Sequence, residues 1–406
     1  MAIENIPVWP FEPNWSSTLT EVLEWLTDVM TSPTGSEQRR SLRYFPRRTF
    51  EYTLAAAGDE RTLLDNLLIS YSAQRWYLPL WHDVNFTEAA IAVGQKIVPC
   101  STVSTSKIVP GSVAILIGDS PYDTELVEVE SVDGSGLTLT TAVSRAWPNG
   151  SRLYSTRIAK FTDQPEPSKR SDAVVTSEVR FQIVEANRDH EEVVTLDVYR
   201  GFPVLPLEPD ERTPLNNGIE RMLVELDNQT SIPIWRDTAS KPFTYQQYAW
   251  VLEGRSELTQ FENLLQVLRG RAQPLWVPTF MQDMVLAASV AANAQTLVVQ
   301  RCGFTLTGGP RPDRQDIMIE TAAGRIYRRI TASAFNSQGQ EVIAIDSPIP
   351  SGFSPSAVVR ICFIILMRLN QDSITIEHQT DTDGVATALV TFRSAPNTRI
   401  PITADF

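Results

Sequence analysis

Residues 261–283 read FENLLQVLRGRAQPLWVPTFMQD, and residues 64–83 read LDNLLISYSAQRWYLPLWHD. Both open on an acid-Asn-Leu-Leu run of helical character. Both then cross a short gap and close on an aromatic, a proline, a second aromatic and an aspartate. Trp276, Pro278, Phe280 and Asp283 carry the ending in one stretch, and Tyr77, Pro79, Trp81 and Asp83 carry it in the other. A feature used twice in one chain is architecture more often than chemistry. Each proline fixes the backbone as the chain leaves a helix, and the aromatics anchor the corner in a core.

The surroundings of the two corners keep the same order. RRTFEYTLAAAGDERTLLDNLL (residues 47–68) stands against TYQQYAWVLEGRSELTQFENLL (residues 244–265), with Phe50 and Leu54 matched to Tyr248 and Leu252. Beyond the corners, IAVGQKIV (91–98) parallels VAANAQTLVV (290–299). Strands are expected at 113–117, 125–132 and 136–141 and again at 317–321, 326–330 and 342–345, from β-branched content and period-two alternation. The dipeptides Asp133-Gly134 and Asn149-Gly150 mark turns. Each half closes with a strand, at 177–184 and 386–393. Helices are expected at 61–71 and 257–269, the second stopped by Gly270. The expected fold is mainly β: two homologous β-barrel or sandwich domains, each with a short helix, at 47–198 and 244–406.

Two segments fall outside this repeat. Residues 1–46 read as an N-terminal arm with an amphipathic helix over 17–30, capped by Ser16 or Ser17, with Leu19, Val22, Leu23, Leu26 and Met30 on one face. Residues 199–243 read as a proline-rich linker, its Phe202, Leu205 and Leu207 lying against a surface.

The chain has 406 residues, 42% apolar and 20% charged, which suits a folded protein of two or three domains. Its net charge of −13 disfavours a protein that grips nucleic acid through phosphates. The N-terminus has neither the basic nor the apolar region of a signal peptide. The longest apolar run, ICFIILM (361–367), is too short for a membrane span and suits a buried strand. Cys100, Cys302 and Cys362 lie far apart and read as reduced, buried thiols rather than a disulfide or metal set.

Catalytic constellations are scarce. The histidines are His82, His190 and His378, with no HExxH, GxSxG or glycine-rich phosphate motif. His82 reads as a surface or turn residue and His190, among charges, as solvated. Asp381-Thr382-Asp383-Gly384 resembles the start of a calcium loop but lacks its later ligands and reads as a hairpin turn. Asp59-Glu60 and Glu253 with Glu257 suggest paired carboxylates, yet acids that precede helices are ordinary partners of the helix dipole. No catalytic, cofactor-binding or metal residue is expected. Tryptophans could form sugar platforms, but Trp76, Trp81 and Trp276 belong to the repeated corner and read as core.

The one charge anomaly is EQRRSLRYFPRR (37–48), which crowds Arg39, Arg40, Arg43, Arg47 and Arg48 into an acidic chain. It reads either as a docking surface, for an acidic partner or another copy of the chain, or as a solvated face with internal pairs. Contact with nucleic acid is a third, weaker reading.

The helix ending in Gly270-Arg271, followed by Trp276, Pro278, Phe280 and Asp283, resembles a segment of the tail-tip proteins of long-tailed bacteriophages and related gene-transfer particles. TGSEQRRSLRYFPRR (34–48) and SIPIWRDTASKPFTYQQYAW (231–250) share the likeness. The first half departs by placing Ser72-Ala73-Gln74-Arg75 where Gly-Arg stands, while keeping Tyr77, Pro79, Trp81 and Asp83. The likeness covers most of both repeats, and the linker and the first 35 residues less. It implies a distal-tail or baseplate subunit of the virion with tail-tube-like domains, assembled in the host cytoplasm and without catalytic residues or cofactors. Such subunits form a ring joining the tail tube to the hub and receptor-binding parts, from three copies with pseudo-sixfold order or from six. The implied partners are other copies, the tail tube protein and hub proteins, with no stable nucleic-acid or membrane binding. An acidic lumen would let DNA pass without sticking. A carbohydrate- or receptor-binding virion module is the alternative, and a cell-wall hydrolase a third.

Overall fold

The computed structural model describes residues 3–102, 106–185, 196–381, 384–395 and 398; His190, Thr382 and Asp383 lie outside them. The protein is mainly β, with two α-helices among the described residues: α1 (Asp59–Tyr71) and α2 (Gly254–Leu268). Both begin earlier than expected, each directly after or at a glycine with positive φ, Gly58 (56°) and Gly254 (84°). Glu257 folds back to accept the Glu253 amide at 2.9 Å. The expected strands form as Val113–Ile117, Thr124–Asp133 and Gly136–Leu139, and as Asp316–Thr321, Gly324–Phe335 and Glu341–Ile345. The ICFIILM run is the buried centre of strand Val358–Leu369.

The helix expected over residues 17–30 does not form. Its residues are two strands, Leu19–Glu24 and Thr27–Thr31. The first alternates in burial, turning Leu19, Glu21 and Leu23 inward. Leu26 and Met30, assigned to the apolar face of a helix, are instead exposed. Tertiary pairing overrides the helical spacing: Leu19–Glu24 is hydrogen-bonded along both edges, to Arg47–Ala57 and to Ser373–His378. Many of its neighbours, such as Thr18, Thr20, Thr27 and Val29, are β-branched, which favours the pleated choice.

Pairings in the two halves follow the same order. In the N-terminal half, antiparallel strands run Trp76–Pro79, Arg152–Phe161, Val174–Ile183, Arg47–Ala57 and Leu19–Glu24. In the C-terminal half they run Leu275–Pro278, Val358–Leu369, Ala386–Ser394, Phe243–Leu252 and Asn216–Glu220. The proline-rich stretches correspond as well. Val8 forms a parallel bridge with Tyr77 and Val204 one with Trp276, inside the similar sequences PVWPFEP and PVLPLEP. Pro7 and Pro203, Leu23 and Ile219, and Gly58 and Gly254 are all separated by the same number of positions. This register sets Tyr52, not Phe50, against Tyr248. Inside the core, Trp9 Nε1 and Trp81 Nε1 donate to the Tyr52 hydroxyl at 2.8 and 3.1 Å, while the Tyr248 hydroxyl donates to the Pro278 carbonyl at 2.6 Å.

The corners close each core. Trp76–Pro79 and Leu275–Pro278 are buried along their whole length. After Pro278 the chain turns through Phe280, whose φ is 52°, and Asp283 accepts from Thr279 Oγ1 (2.5 Å) and Phe363 N (2.9 Å). Gly270 has a steric reason to be glycine: a Cβ there would lie 2.4 Å from Asp372 Oδ1 and 2.7 Å from Trp25 Cβ. Cys100 and Cys362 are buried as expected, but Cys302 is exposed. It sits in a loop whose amides turn inward, Cys302 N and Gly303 N donating to the Glu341 carboxylate at 3.0 and 2.7 Å.

Candidate assembly surface at the seam between the halves

Strand Leu19–Glu24 of the N-terminal half lies against Ser373–His378 of the C-terminal half, with Leu19 opposite His378 and Glu24 opposite Ser373. The pairing makes one continuous run of strands: Ser168–Lys169, Val174–Ile183, Arg47–Ala57, Leu19–Glu24, Ser373–His378, Ala386–Ser394, Phe243–Leu252 and Asn216–Glu220. The apolar face of the joining strand completes its neighbour's core, since Leu23 and Trp25 pack with Trp250, Phe261 and Leu268 beneath α2.

Among the described residues, several parts of the N-terminal half meet the C-terminal half along this seam. The first is the strand itself. The second is the hairpin Thr27–Thr31 with Glu37–Ser41, tied down by Asp372, which accepts from Thr27 N and Thr27 Oγ1 at 2.8 Å each. The third is the corner after Trp81, where Arg255 from α2 pairs with Asp83 at 3.3 Å and donates to Asn85 Oδ1 at 2.9 Å. Lys107 pairs with Glu262, also of α2.

The five clustered arginines divide here. Arg48 is buried and binds Glu21 at 2.7 Å. Arg39 pairs with Glu37 at 2.5 Å and donates across the seam to the Arg271 carbonyl at 2.9 Å, while Arg393 reaches back to Glu37 at 2.9 Å. Arg43 donates to the Glu24 carbonyl at 2.7 Å. Arg40 and Arg47 are exposed. Of the five, Arg39 thus bonds across the seam, Arg43 and Arg48 bind within their own half, and Arg40 and Arg47 face solvent.

Beneath the strand lies a buried polar group with no local motif to announce it. His82 is 1% exposed, not the surface residue expected, and is stacked between Phe50 (5.7 Å) and His378 (4.0 Å, planes 18° apart). His378 Nε2 meets Glu21 Oε2 at 3.0 Å, and Arg48 holds Oε1. By residue type Glu21, His82 and His378 could hold a divalent ion, with ligand atoms within 4.8 Å of one another. The geometry points away from that use. Lone pairs of stacked rings run side by side, whereas metal ligands converge on one point about 2 Å away. Arg48 already occupies the carboxylate, and the charge of Lys107 also bears on it. Burial pushes the Glu21 carboxyl up, but Arg48, the His378 hydrogen bond and Lys107 outweigh it and hold it well below the usual carboxylate range.

Burial, then the charges of His378 and Lys107, hold His82 well below the ordinary histidine value, with Glu21 opposing and Arg48 adding to them. A depressed histidine is neutral in both states above its unfolded pKa, about 6.5. Below that, the unfolded chain takes up a proton that the folded chain refuses. Stability should therefore fall as pH drops from about 6.5 towards 5, by up to about 1.4 kcal/mol per pH unit. Urea unfolding across this window checks the slope, and His82→Phe should flatten it. An equal slope in that variant refutes the assignment.

No helix among the described residues is long and apolar enough to cross a membrane. No protein-family model matches the chain, and no curated protein is significantly similar to it.

Proposed function

We propose that the chain is a structural subunit of a phage-type tail tip, built from two copies of one tail-tube-like β-barrel or sandwich unit and assembling into a ring. The matched order of strands, helix and corner in the two halves supports the duplication. The carrying observation is the seam, where one unit extends the sheet of the other edge to edge. Two like units joined through unlike surfaces make a contact that repeats around an axis, and closure yields a ring. Ring pairing also satisfies strand edges that a free β-domain leaves open. The acidic balance suits a lumen through which DNA slides.

The purified chain should form a discrete homo-oligomer by light scattering and rings by electron microscopy, and should be found by mass spectrometry in tailed particles. A chain that stays monomeric at high concentration and is absent from particles refutes the reading. One observation favours the receptor-binding alternative: Trp235, on hairpin Leu223–Leu226 with Ile234–Asp237, is 60% exposed. Glycan binding abolished by Trp235→Ala would support it.

A further inference from the structure

The surfaces that meet at the internal seam have counterparts that are exposed among the described residues. Ile219 stands where Leu23 does in the other half, yet Leu23 is 2% exposed and Ile219 72%. Strand Asn216–Glu220 is exposed throughout and paired along one edge, to Phe243–Leu252. The hairpin Thr27–Thr31 with Glu37–Ser41 is clasped by Asp372 and Arg271; its counterpart presents Leu223, Leu226, Ile234 and Trp235 to solvent. Residues 82–85 after Trp81 are buried under α2, whereas Met281, in the place of His82, is 51% exposed. The back of the C-terminal half is thus the bare equivalent of a surface that the molecule itself covers elsewhere.

The covering surface is bare in the other half too. Glu262 of α2 is buried against Lys107, but Asp65 at the same place in the acid-Asn-Leu-Leu run of α1 is partly exposed, with a pair to Arg61 in its own helix. Ser373–His378 alternates exposed and buried residues, and residues 164–169, ending in strand Ser168–Lys169, alternate the same way at lower burial up to Ser168. The latter pairs along one edge, to Val174–Ile183.

We infer that a second copy of this chain docks its α1 and residues 164–169 onto strand Asn216–Glu220, hairpin Leu223–Asp237 and the Met281 corner, repeating the internal seam between molecules. The inference deepens the ring-forming reading and rests on it. The two bare edges are the two ends of the continuous run of strands described above, so each added copy extends the sheet and leaves the same two edges free until the ring closes. Pro165 and Pro167 withhold two amides, so the contact between copies has fewer hydrogen bonds than the seam within a copy. The apolar hairpin compensates by burying Trp235 and its neighbours, as an aromatic anchor does at the centre of an interface.

The register itself can be tested. Carried over from Thr20 opposite Glu377, it places Asn216 of one copy opposite Ser168 of the next. In a Cys302→Ser background, Asn216→Cys and Ser168→Cys proteins should crosslink when mixed and oxidised, and the chain with both changes should give a ladder. Each single variant alone should give neither. Ile219→Asp and Trp235→Asp should each weaken self-association by at least roughly tenfold and leave the monomer's thermal unfolding unchanged. Assembly that survives both substitutions and yields no mixed crosslink overturns the inference and leaves the ring reading standing. A wild-type chain that is monomeric at high concentration overturns both.

Discussion

Replacing Glu21 by alanine should lower the stability of the chain by about 3–5 kcal/mol. The carboxylate is fully buried and divides its oxygens between Arg48 (2.7 Å) and His378 (3.0 Å). Removing it takes from the buried Arg48 guanidinium the carboxylate that it holds at 2.7 Å, and deleting one partner of a buried ion pair is strongly destabilising. The double variant Glu21→Leu with Arg48→Met should recover most of the loss, because an apolar pair of similar volume needs no desolvation to be compensated. Urea unfolding of Glu21→Leu, Arg48→Met and the double variant closes a thermodynamic cycle. Additive losses would mean that the two residues act separately and that the ion pair is incidental. Glu21 and Arg48 belong to one half and His378 to the other, so the single variant should also loosen the seam. Proteolysis between the halves should accelerate in step with the loss of stability.

The fold was legible where local chemistry and tertiary demand agree. Alternating β-branched runs became the strands Val113–Ile117, Thr124–Asp133 and Glu341–Ile345, and the paired Pro-aromatic corners became buried strand ends. It was illegible where long-range pairing decides. Leu19, Val22, Leu23 and Leu26 have helical spacing, but strands from opposite ends of the chain flank them, and no window of sequence contains Arg47–Ala57 and Ser373–His378 together. Proline hid a correspondence for a different reason. PVWPFEP falls in the expected arm, outside the repeat, and PVLPLEP in the expected linker, where proline resists regular structure, yet each lays one valine beside a corner strand, at Tyr77 and Trp276. The buried group of Glu21, His82 and His378 gave no local signal, since its members stand far apart in the chain and meet only in the folded molecule. The arginine cluster was the one visible trace of the seam, as charge crowded into an acidic chain.

Trp276→Ala should cost about 3–5 kcal/mol, and the reason lies in what the indole holds in place. Its ring fills a small core with Val204, Met318, Cys362, Ile364 and Leu366, apart from the larger core beneath α2. Its Nε1 donates to the Tyr199 carbonyl at 2.8 Å, and its backbone carbonyl accepts from Leu205 N at 2.9 Å. Truncation therefore empties a cavity and also leaves the Tyr199 carbonyl without its donor. The proline-rich stretch around Val204 loses the ring it is laid across, while its backbone bridge to residue 276 remains possible. Trp276→Phe separates the two contributions: it refills most of the cavity without restoring the hydrogen bond, so it should recover more than half of the loss. Trp235→Ala is the control, because that ring faces solvent in the single chain and its removal should change the monomer's stability by no more than about 0.5 kcal/mol. If Trp276→Ala proves as mild as the control, the corner is not a structural anchor. A loss of several kcal/mol together with failure to assemble would mean that the repeated Pro-aromatic ending serves first to build the unit, and through the unit the proposed contact of the hairpin and the open strand with another copy.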